Sequence, residues 1–141
     1  MPVLETDFLK GLIDPSDQLH EASLKALERV KRGEWHVASS ALLELDLVLK
    51  GLGISMEERV MTHYALMAEI PQSMILSLTP RILLRAVQLQ MRYRDISRFY
   101  LDSIHLATAL ELDGEIVSSD KTFDEVEEVR RLPLEELGDG A

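Results

Sequence analysis

Short apolar runs alternate with longer amphipathic segments along this 141-residue chain. A short, continuous apolar run is typical of a buried strand, and apolar residues at helical spacing are typical of a helix with one buried face. The predicted strands cover residues 2–4, 35–39, 73–78, 115–119 and 129–134. The predicted helices cover residues 16–31, 40–53, 55–68, 80–93 and 102–113.

Residues at the boundaries support several of these elements. Ser16 or Asp17 can cap the first predicted helix, and Gly33 can end it. Pro80 suits the first turn of a helix, and Pro133 favours an edge position for the last strand because proline cannot donate in a central ladder. The alternation of strands with helices predicts an α/β protein, a three-layer α/β/α sandwich around a mostly parallel central sheet.

Composition restricts the class of protein. With 46% hydrophobic and 28% charged residues, we expect one globular domain over residues 1–137 and a loose tail over residues 138–141. The chain has no cysteine, which excludes a disulfide scaffold and a thiolate metal site. It has no apolar run of the roughly 20 residues that a membrane span needs, and its N-terminus lacks the pattern of a signal peptide. We therefore expect a cytoplasmic protein that does not associate with membranes.

The net charge of −10 disfavours non-specific binding to nucleic acid, since phosphate is bound mainly by Lys and Arg. A nucleic-acid partner would require a local basic strip, a bound cation or a further protein. Arg81, Arg85 and Arg92 follow at intervals of four and seven residues and share one predicted helix face, with Arg94 and Arg98 just beyond. This strip is a candidate RNA-binding surface, and a solvated face that balances nearby acids is the alternative.

Acidic residues are expected to gather at one edge of the predicted sheet. Asp102 begins a helix of about twelve residues, roughly 18 Å long, and Asp120 ends the strand that follows, roughly 16–20 Å long. Because that helix runs back antiparallel to the strand, the two acids should lie at the same edge. Glu5 and Asp7 follow the first strand and Glu44 follows the second, so they belong to this edge as well.

Clustered carboxylates repel one another unless protons or cations neutralise them. Oxygen ligands without thiolates suit hard divalent ions such as Mg²⁺ or Mn²⁺. Such ions lower the pKa of bound water, and two of them about 4 Å apart can stabilise the attacking and leaving oxygens of a phosphodiester. The hydroxyl of Ser119, beside Asp120, could orient a water or a ligand.

Each acid also has an ordinary structural explanation. Asp102 would favour a helix N-terminus through capping or the helix dipole, and Asp120 would suit a turn. Glu44 would lie on a solvated helix face, although its spacing of four residues from Ser40 does not fit a capping box. His105, three residues after Asp102, is interpreted as a helix-face residue and not as a ligand.

Three segments, in this order, resemble the PIN-domain family: "VLETDFL", "SSALLEL" and "LDSIHLATALELDGEIVSSDKTF". This family includes the toxin ribonucleases of VapBC toxin–antitoxin pairs. The resemblance implies a PIN-like α/β/α fold and Mg²⁺- or Mn²⁺-dependent cleavage of RNA phosphodiesters. It further implies a homodimer and a small antitoxin protein whose C-terminal segment occupies the active-site groove, where an Arg or Lys would neutralise the acids.

The family's site residues carry over onto matching positions of this chain. The expected catalytic residues are Glu5, Glu44, Asp102 and Asp120, the expected metal ligands are these four and Asp7, and the supporting residues are Thr6, Ser119 and Asp124. The chain departs from the family pattern at Glu5, where Asp is usual, and at Asp7, where a neutral polar residue is common. It also departs at Thr122, where the family has a further carboxylate; Asp124 would supply that carboxylate instead. Either Glu5 or Asp7 is the first metal ligand.

Two other functions were compared with a nuclease. A PIN-like domain that binds metal, RNA or protein without cleavage would account for the unusual Glu5. A phospho-acceptor receiver domain would require an Asp at the end of the central strand, and the segment "SMILSLTP" has none.

Overall fold

The computed structural model describes residues 1–94, 96 and 99–138. Arg98 of the predicted basic strip and residues 139–141 of the predicted tail lie outside the described residues. Gly138, the first residue of that tail, is the last residue of a short helix.

A five-stranded parallel sheet forms the centre of the molecule, which confirms the predicted fold class. The strand order is β3-β2-β1-β4-β5. The strands are β1 (Val3–Leu4), β2 (His36–Ala38), β3 (Ile75–Leu76), β4 (Glu115–Ser118) and β5 (Arg130–Pro133). The last strand lies at an edge, as Pro133 predicted, and pairs with β4 alone.

Helices surround this sheet in the predicted three-layer sandwich. They are α1 (Thr6–Ile13), α2 (His20–Lys31), α3 (Ser39–Gly51), α4 (Met56–Glu69), α5 (Pro80–Arg92), α6 (Tyr100–Leu110) and α7 (Glu135–Gly138). Two short 3-10 helices cover Gln72–Met74 and Lys121–Glu125. In the part of the chain that the structure describes, none of the helices is long and apolar enough to cross a membrane.

Several helix starts differ from the prediction; α6, for example, begins at Tyr100 and not at Asp102. Helix α2 begins at His20 and not at Ser16, because Asp14 accepts hydrogen bonds from Ser16 and Asp17 accepts one from the backbone N–H of Leu19. These local bonds hold a turn that competes with helix. Helix α1 was not predicted at all, because it follows β1 without a loop and Glu5 serves as its N-cap.

The strand order reverses at β1, and this reversal positions a crevice. From β1 the chain proceeds to β2 and β3 on one side and then crosses to β4 on the other. Leu4 pairs in register with both Val37 and Val117, so Glu5 leaves the sheet between the ends of β2 and β4. In open parallel sheets, ligands bind at such a point, outside the carboxyl ends of the strands.

Gly11 allows α1 and the start of α2 to pack closely. A Cβ at this position would collide with Oγ of Ser23 and lie 3.0 Å from the carbonyl oxygen of Leu19. We expect Gly11→Ala to lower the free energy of unfolding by about 1–3 kcal/mol, the usual cost of overpacking.

Urea denaturation checks this prediction, and Ser23→Ala supplies the matched background. Ser23 Oγ is buried without a hydrogen-bond partner among the described residues, so its removal alone should cost little. The double variant should recover part of the loss, because the nearest colliding atom is gone while the Leu19 carbonyl remains. An unchanged unfolding midpoint in Gly11→Ala would show that the contact is not tight.

Candidate active site

Glu5 lies at the centre of the site because β1 ends directly before it. Val3 and Leu4 are fully buried in the sheet, and Glu5 itself is only 5% exposed. Its Oε2 accepts a hydrogen bond of 2.6 Å from Ser118 Oγ, at the end of the neighbouring strand β4. Its Oε1 lies 3.4 Å from the backbone nitrogen of Asp7 and caps helix α1. The side chain that follows the central strand is thus held inside the crevice.

Asp7 is bound to the loop after β4. Its Oδ2 accepts hydrogen bonds of 2.7 Å from both the backbone N–H and the hydroxyl of Ser119, and a longer one of 3.4 Å from Ser118. The other carboxylate oxygen, Oδ1, is buried and has no partner among the residues that the structure describes. Ser119 therefore orients Asp7, and one oxygen of Asp7 remains available to a ligand.

Glu44 belongs to a buried network that joins three helices. Thr6 Oγ1, at the start of α1, donates a hydrogen bond to Glu44 Oε1. The Nε2 atom of His105, in α6, lies 2.9 Å from the same oxygen and 3.2 Å from Thr6 Oγ1. The other ring nitrogen, Nδ1, lies 2.7 Å from Ser40 Oγ, one turn before Glu44 in α3. Thr6, His105 and Ser40 are buried, whereas the Glu44 side chain is 26% exposed.

Asp102 and Asp120 complete the acidic group on the more exposed side. The pKa of Asp102 is raised to about 6, mainly by burial; the negative charges of Glu44 and Asp120 contribute to the rise, and His105 and Lys10 oppose it. Asp120 Oδ1 accepts bonds of 3.0 and 2.7 Å from the backbone N–H and hydroxyl of Thr122. Asp120 thus also has the turn role that its sequence context indicated.

The two glutamates differ in protonation because their surroundings differ. Burial raises the pKa of Glu5 well above its usual range, and the nearby carboxylates of Asp7 and Asp102 add to this effect. Burial also raises the pKa of Glu44, but the hydrogen bonds from His105 and Thr6 outweigh it and leave the pKa below its usual value. Without a cation, Glu5 therefore holds a proton more readily than Glu44.

The donor set fits a divalent cation. Donor atoms of Glu5, Glu44 and His105 lie within 4.8 Å of one another. Around them stand further carboxylates, including the buried Oδ1 of Asp7, which lacks a hydrogen-bond partner among the described residues. Burial is the main reason that the pKa of Asp102 is raised, and repulsion from Glu44 and Asp120 adds to it; a cation would relieve that repulsion. Oxygen donors of this kind suit Mg²⁺ or Mn²⁺.

The predicted supporting residue Asp124 lies next to this group and not in it. Its carboxylate pairs with Arg131 at 2.9 Å, and the Arg131 guanidinium donates at 2.9 Å to the carbonyl oxygen of Ser118. Asp124 therefore contacts the site through Arg131, behind the end of β4. Its contribution to function stays a prediction.

The predicted basic strip is occupied by ion pairs. Arg81 lies 3.2 Å from Glu111, at the C-terminal end of α6, whereas Asp102 is in the first turn of that helix. Nine residues of helix separate Glu111 from Asp102, a distance of about 14 Å. Arg92 pairs with Glu127 and Glu128 at 2.9 Å each. Arg85 borders a small cavity of about 180 Å³ together with Arg81. Their role in RNA binding stays a prediction.

Three buried residues of the site were not identified from the sequence. His105 was interpreted as a helix-face residue, and the structure instead buries it completely against Glu44. Ser40 and Ser118 were not selected either. The signal for Ser40 is its helical spacing of four residues from Glu44, which places both on one face of α3. No comparable local signal distinguishes Ser118 from Ser119.

Two cavities lie away from these acids. One of about 750 Å³ is a mostly apolar groove between α2 and α4, and another of about 520 Å³ lies beside Asp46 on α3 and α4. Neither is lined by an acid of the group around Glu5. Chemistry and not cavity size therefore identifies the candidate active site.

Comparison with known proteins agrees with the fold described above. The family model described as PIN domain matches residues 3–129. Similar solved structures include "Structure of FitAB bound to IR36 DNA fragment", with 12% identity, a TM-score of 0.71 and coverage of 96% of both chains. A toxin–antitoxin complex from Klebsiella pneumoniae has 19% identity, a TM-score of 0.62 and coverage of 92% of this chain and 96% of that one.

A third similar structure is VapBC2 from Rickettsia felis bound to a DNA fragment from its promoter. It has 14% identity, a TM-score of 0.64 and coverage of 92% of this chain and 96% of that one. At these identities the likeness concerns the fold. No curated protein sequence matches the chain.

Proposed function

Because this chain belongs to the PIN-domain family, we propose that it is a divalent-metal-dependent endoribonuclease that hydrolyses RNA phosphodiester bonds. PIN domains are generally nucleases. The observation that carries the proposal is the group of acids around the carboxyl end of β1, with donor atoms of Glu5 and Glu44 within 4.8 Å of each other and of His105. Negative charge on Glu44 and Asp120 contributes to the raised pKa of Asp102, which supports including Asp102 and Asp120 in this group.

Glu5, Glu44, Asp102 and Asp120 would hold Mg²⁺ or Mn²⁺, with Asp7 as a further ligand. When bound, the ion would lower the pKa of a water and stabilise negative charge on the phosphodiester. Ser119 keeps Asp7 in place through two hydrogen bonds of 2.7 Å.

Cleavage of labelled RNA by the purified protein tests this proposal. We expect internal cuts with Mg²⁺ or Mn²⁺, no cuts in EDTA, and restored cleavage when the metal is returned in excess. DNA of the same sequence serves as the matched substrate control. Cleavage that persists in EDTA would contradict a metal-dependent mechanism, and faster cleavage of the DNA would contradict the assignment to RNA.

We also propose that the chain is the toxin of a VapBC-type pair, with a small antitoxin as its partner. Support comes from the similar structures, which include a toxin–antitoxin complex and VapBC2. An antitoxin Arg or Lys in the acidic crevice would neutralise its charge and block substrate. The product of an adjacent gene should therefore suppress cleavage at equimolar concentration. Cleavage unaffected by that protein would argue against the pairing.

We propose that the protein is cytoplasmic and forms a homodimer. The exposed apolar side of α5 supports the dimer. Leu84, Val87 and Met91 are large apolar residues with exposures of 61%, 49% and 75%. A surface of this kind is typical of an interface. Sedimentation equilibrium should give twice the chain mass of 16.0 kDa, and a concentration-independent monomer would contradict the dimer.

A binding module that does not cleave RNA is the alternative function, and Glu5 favours it. The buried Glu5 side chain replaces the usual Asp and already bonds Ser118 at 2.6 Å. Glu5→Asp separates the two functions. If the site is built for Glu, the shorter side chain loses reach, and Mn²⁺ affinity and RNA turnover should both fall about tenfold. Calorimetry and the cleavage assay measure the two quantities, and a large rise in turnover would favour the binding module.

A further inference from the structure

The hydrogen bonds around His105 have one consistent arrangement when the imidazole is neutral. A carboxylate oxygen accepts hydrogen bonds, so both neighbours of Glu44 Oε1 donate to it. Thr6 donates through its hydroxyl, and His105 donates through Nε2–H across 2.9 Å. A neutral imidazole with a proton on Nε2 has a lone pair on Nδ1. Ser40 Oγ, at 2.7 Å, then donates to Nδ1.

From this arrangement, we propose that Ser40 and His105 are positioning residues that act through Glu44. They form a relay in which Ser40 selects the tautomer of His105, and His105 with Thr6 holds Glu44 Oε1. Because Oε1 is occupied by two donors, Oε2 is the oxygen that Glu44 presents to a cation. The inference rests on the proposed function, since it assigns a role within the same metal site.

Burial makes the relay rigid. His105 has no exposed surface, and Ser40 and Thr6 are 5% and 2% exposed, so water does not compete for these hydrogen bonds. The four residues lie on α1, α3 and α6, and the relay therefore fixes the relative position of three helices around Glu44. Partners that orient a metal-binding side chain typically change metal affinity by about 10–100-fold when they are removed.

The relay also distinguishes His105 from a metal ligand. Direct coordination through Nε2 would require that nitrogen to lose its proton and give up its bond to Glu44. Positioning requires the proton to remain there. The protonation of Nε2 in the presence of a cation is thus the property in which the two roles differ.

Proton-detected ¹⁵N spectra of the histidine side chains test the tautomer directly. Mg²⁺ is the probe, because it is diamagnetic. We expect His105 to carry its proton on Nε2 both without Mg²⁺ and at saturating Mg²⁺. A proton on Nδ1 in the free protein, or loss of the Nε2 proton on Mg²⁺ addition, would overturn the proposal.

Calorimetry with Mn²⁺ tests the consequence for binding. Ser40→Ala should weaken Mn²⁺ binding about tenfold. Ser39→Ala is the matched control, because the Ser39 hydroxyl instead accepts the backbone N–H of Leu78 at 3.0 Å, and affinity should stay within twofold. His105→Leu should weaken binding about 100-fold, and His105→Gln, which keeps an N–H donor, should recover at least part of that loss. Equal affinities for the Ser39 and Ser40 variants would overturn the relay.

The experiments distinguish a failure of this inference from a failure of the proposed function. Mn²⁺ binding without RNA cleavage would remove the nuclease activity but leave the relay, which the spectra and affinities test without RNA. A parent protein that binds no Mn²⁺ at millimolar concentration would overturn the positioning role together with the metal site. If Ser40→Ala cleaves RNA at the rate of the parent and binds Mn²⁺ with unchanged affinity, the relay is overturned and the proposed function is not.

Discussion

Asp102→Asn is expected to lower metal-dependent RNA cleavage by about 10³-fold, equivalent to about 4 kcal/mol of transition-state stabilisation. The substitution removes the half-buried carboxylate near the start of α6, one of the proposed metal ligands. It keeps the size of the side chain and its helical position. Mn²⁺ binding, measured by calorimetry, should weaken beyond detection at the concentrations that saturate the parent protein.

Asp113→Asn is the matched control for this experiment. It makes the same chemical change just beyond the other end of α6, where Asp113 is exposed and pairs with the chain's amino group. The control should bind Mn²⁺ and cleave RNA as the parent does. Full activity in Asp102→Asn would remove Asp102 from the mechanism, and equal losses in both variants would indicate a general effect of the charge change.

The second large effect concerns pH. In the absence of divalent ions, the contribution of Asp102 to the free energy of unfolding should become less favourable as pH rises from about 4 to about 7. The pKa of Asp102 is raised from 3.8 to about 6 in the folded protein. Over that interval the folded state holds a proton that the unfolded state has lost, so rising pH favours unfolding. The contribution of Asp102 is about 1 kcal/mol after allowance for solvent screening.

A divalent ion should reverse this loss, because it neutralises the carboxylates that repel one another above pH 6. We expect Mn²⁺ to raise the melting temperature more at pH 7.5 than at pH 5. Thermal unfolding in EDTA and in Mn²⁺ at both pH values measures the effect. Subtraction of the Asp102→Asn profile removes the contributions of unrelated groups, and a parent and variant with identical pH profiles would contradict the prediction.

These two experiments also separate folding from function. Without metal at neutral pH, Asp102→Asn should be at least as stable as the parent, since it removes a carboxylate whose ionised form is disfavoured. A variant that is stable but inactive would assign the loss to the site. A variant that unfolds early would show that the carboxylate also has a structural role.

Local sequence signals predicted the strands and most of the helices, but they misplaced some helix ends. Pro80 lies at the start of α5, as predicted, because such a signal acts within one turn. The start of α2 was misplaced because Asp14 and Asp17 can bond the backbone either in a turn or in a helix. That choice depends on how α2 packs on α1, which is not a local property.

The sequence by itself determined the alternation of strands and helices, and from that alternation the convergence of Glu5, Asp7, Glu44, Asp102 and Asp120 on one edge of the sheet. This was possible because strand direction and helix length follow from the chain's own periodicity. The family segments of the sequence implied the same residues, and the match over residues 3–129 confirms the family.

Only the tertiary structure decided which side chains form hydrogen bonds with these acids. His105 and Glu44 are 61 residues apart, and Ser118 and Glu5 are 113 apart, so no periodic pattern within one element relates them. Their partnerships arise because the parallel sheet brings the ends of β1, β2 and β4 together and α6 packs against α3. The protonation of Glu5 and the orientation of Glu44 depend on burial and on donors from distant segments, and these exist only once the chain has folded.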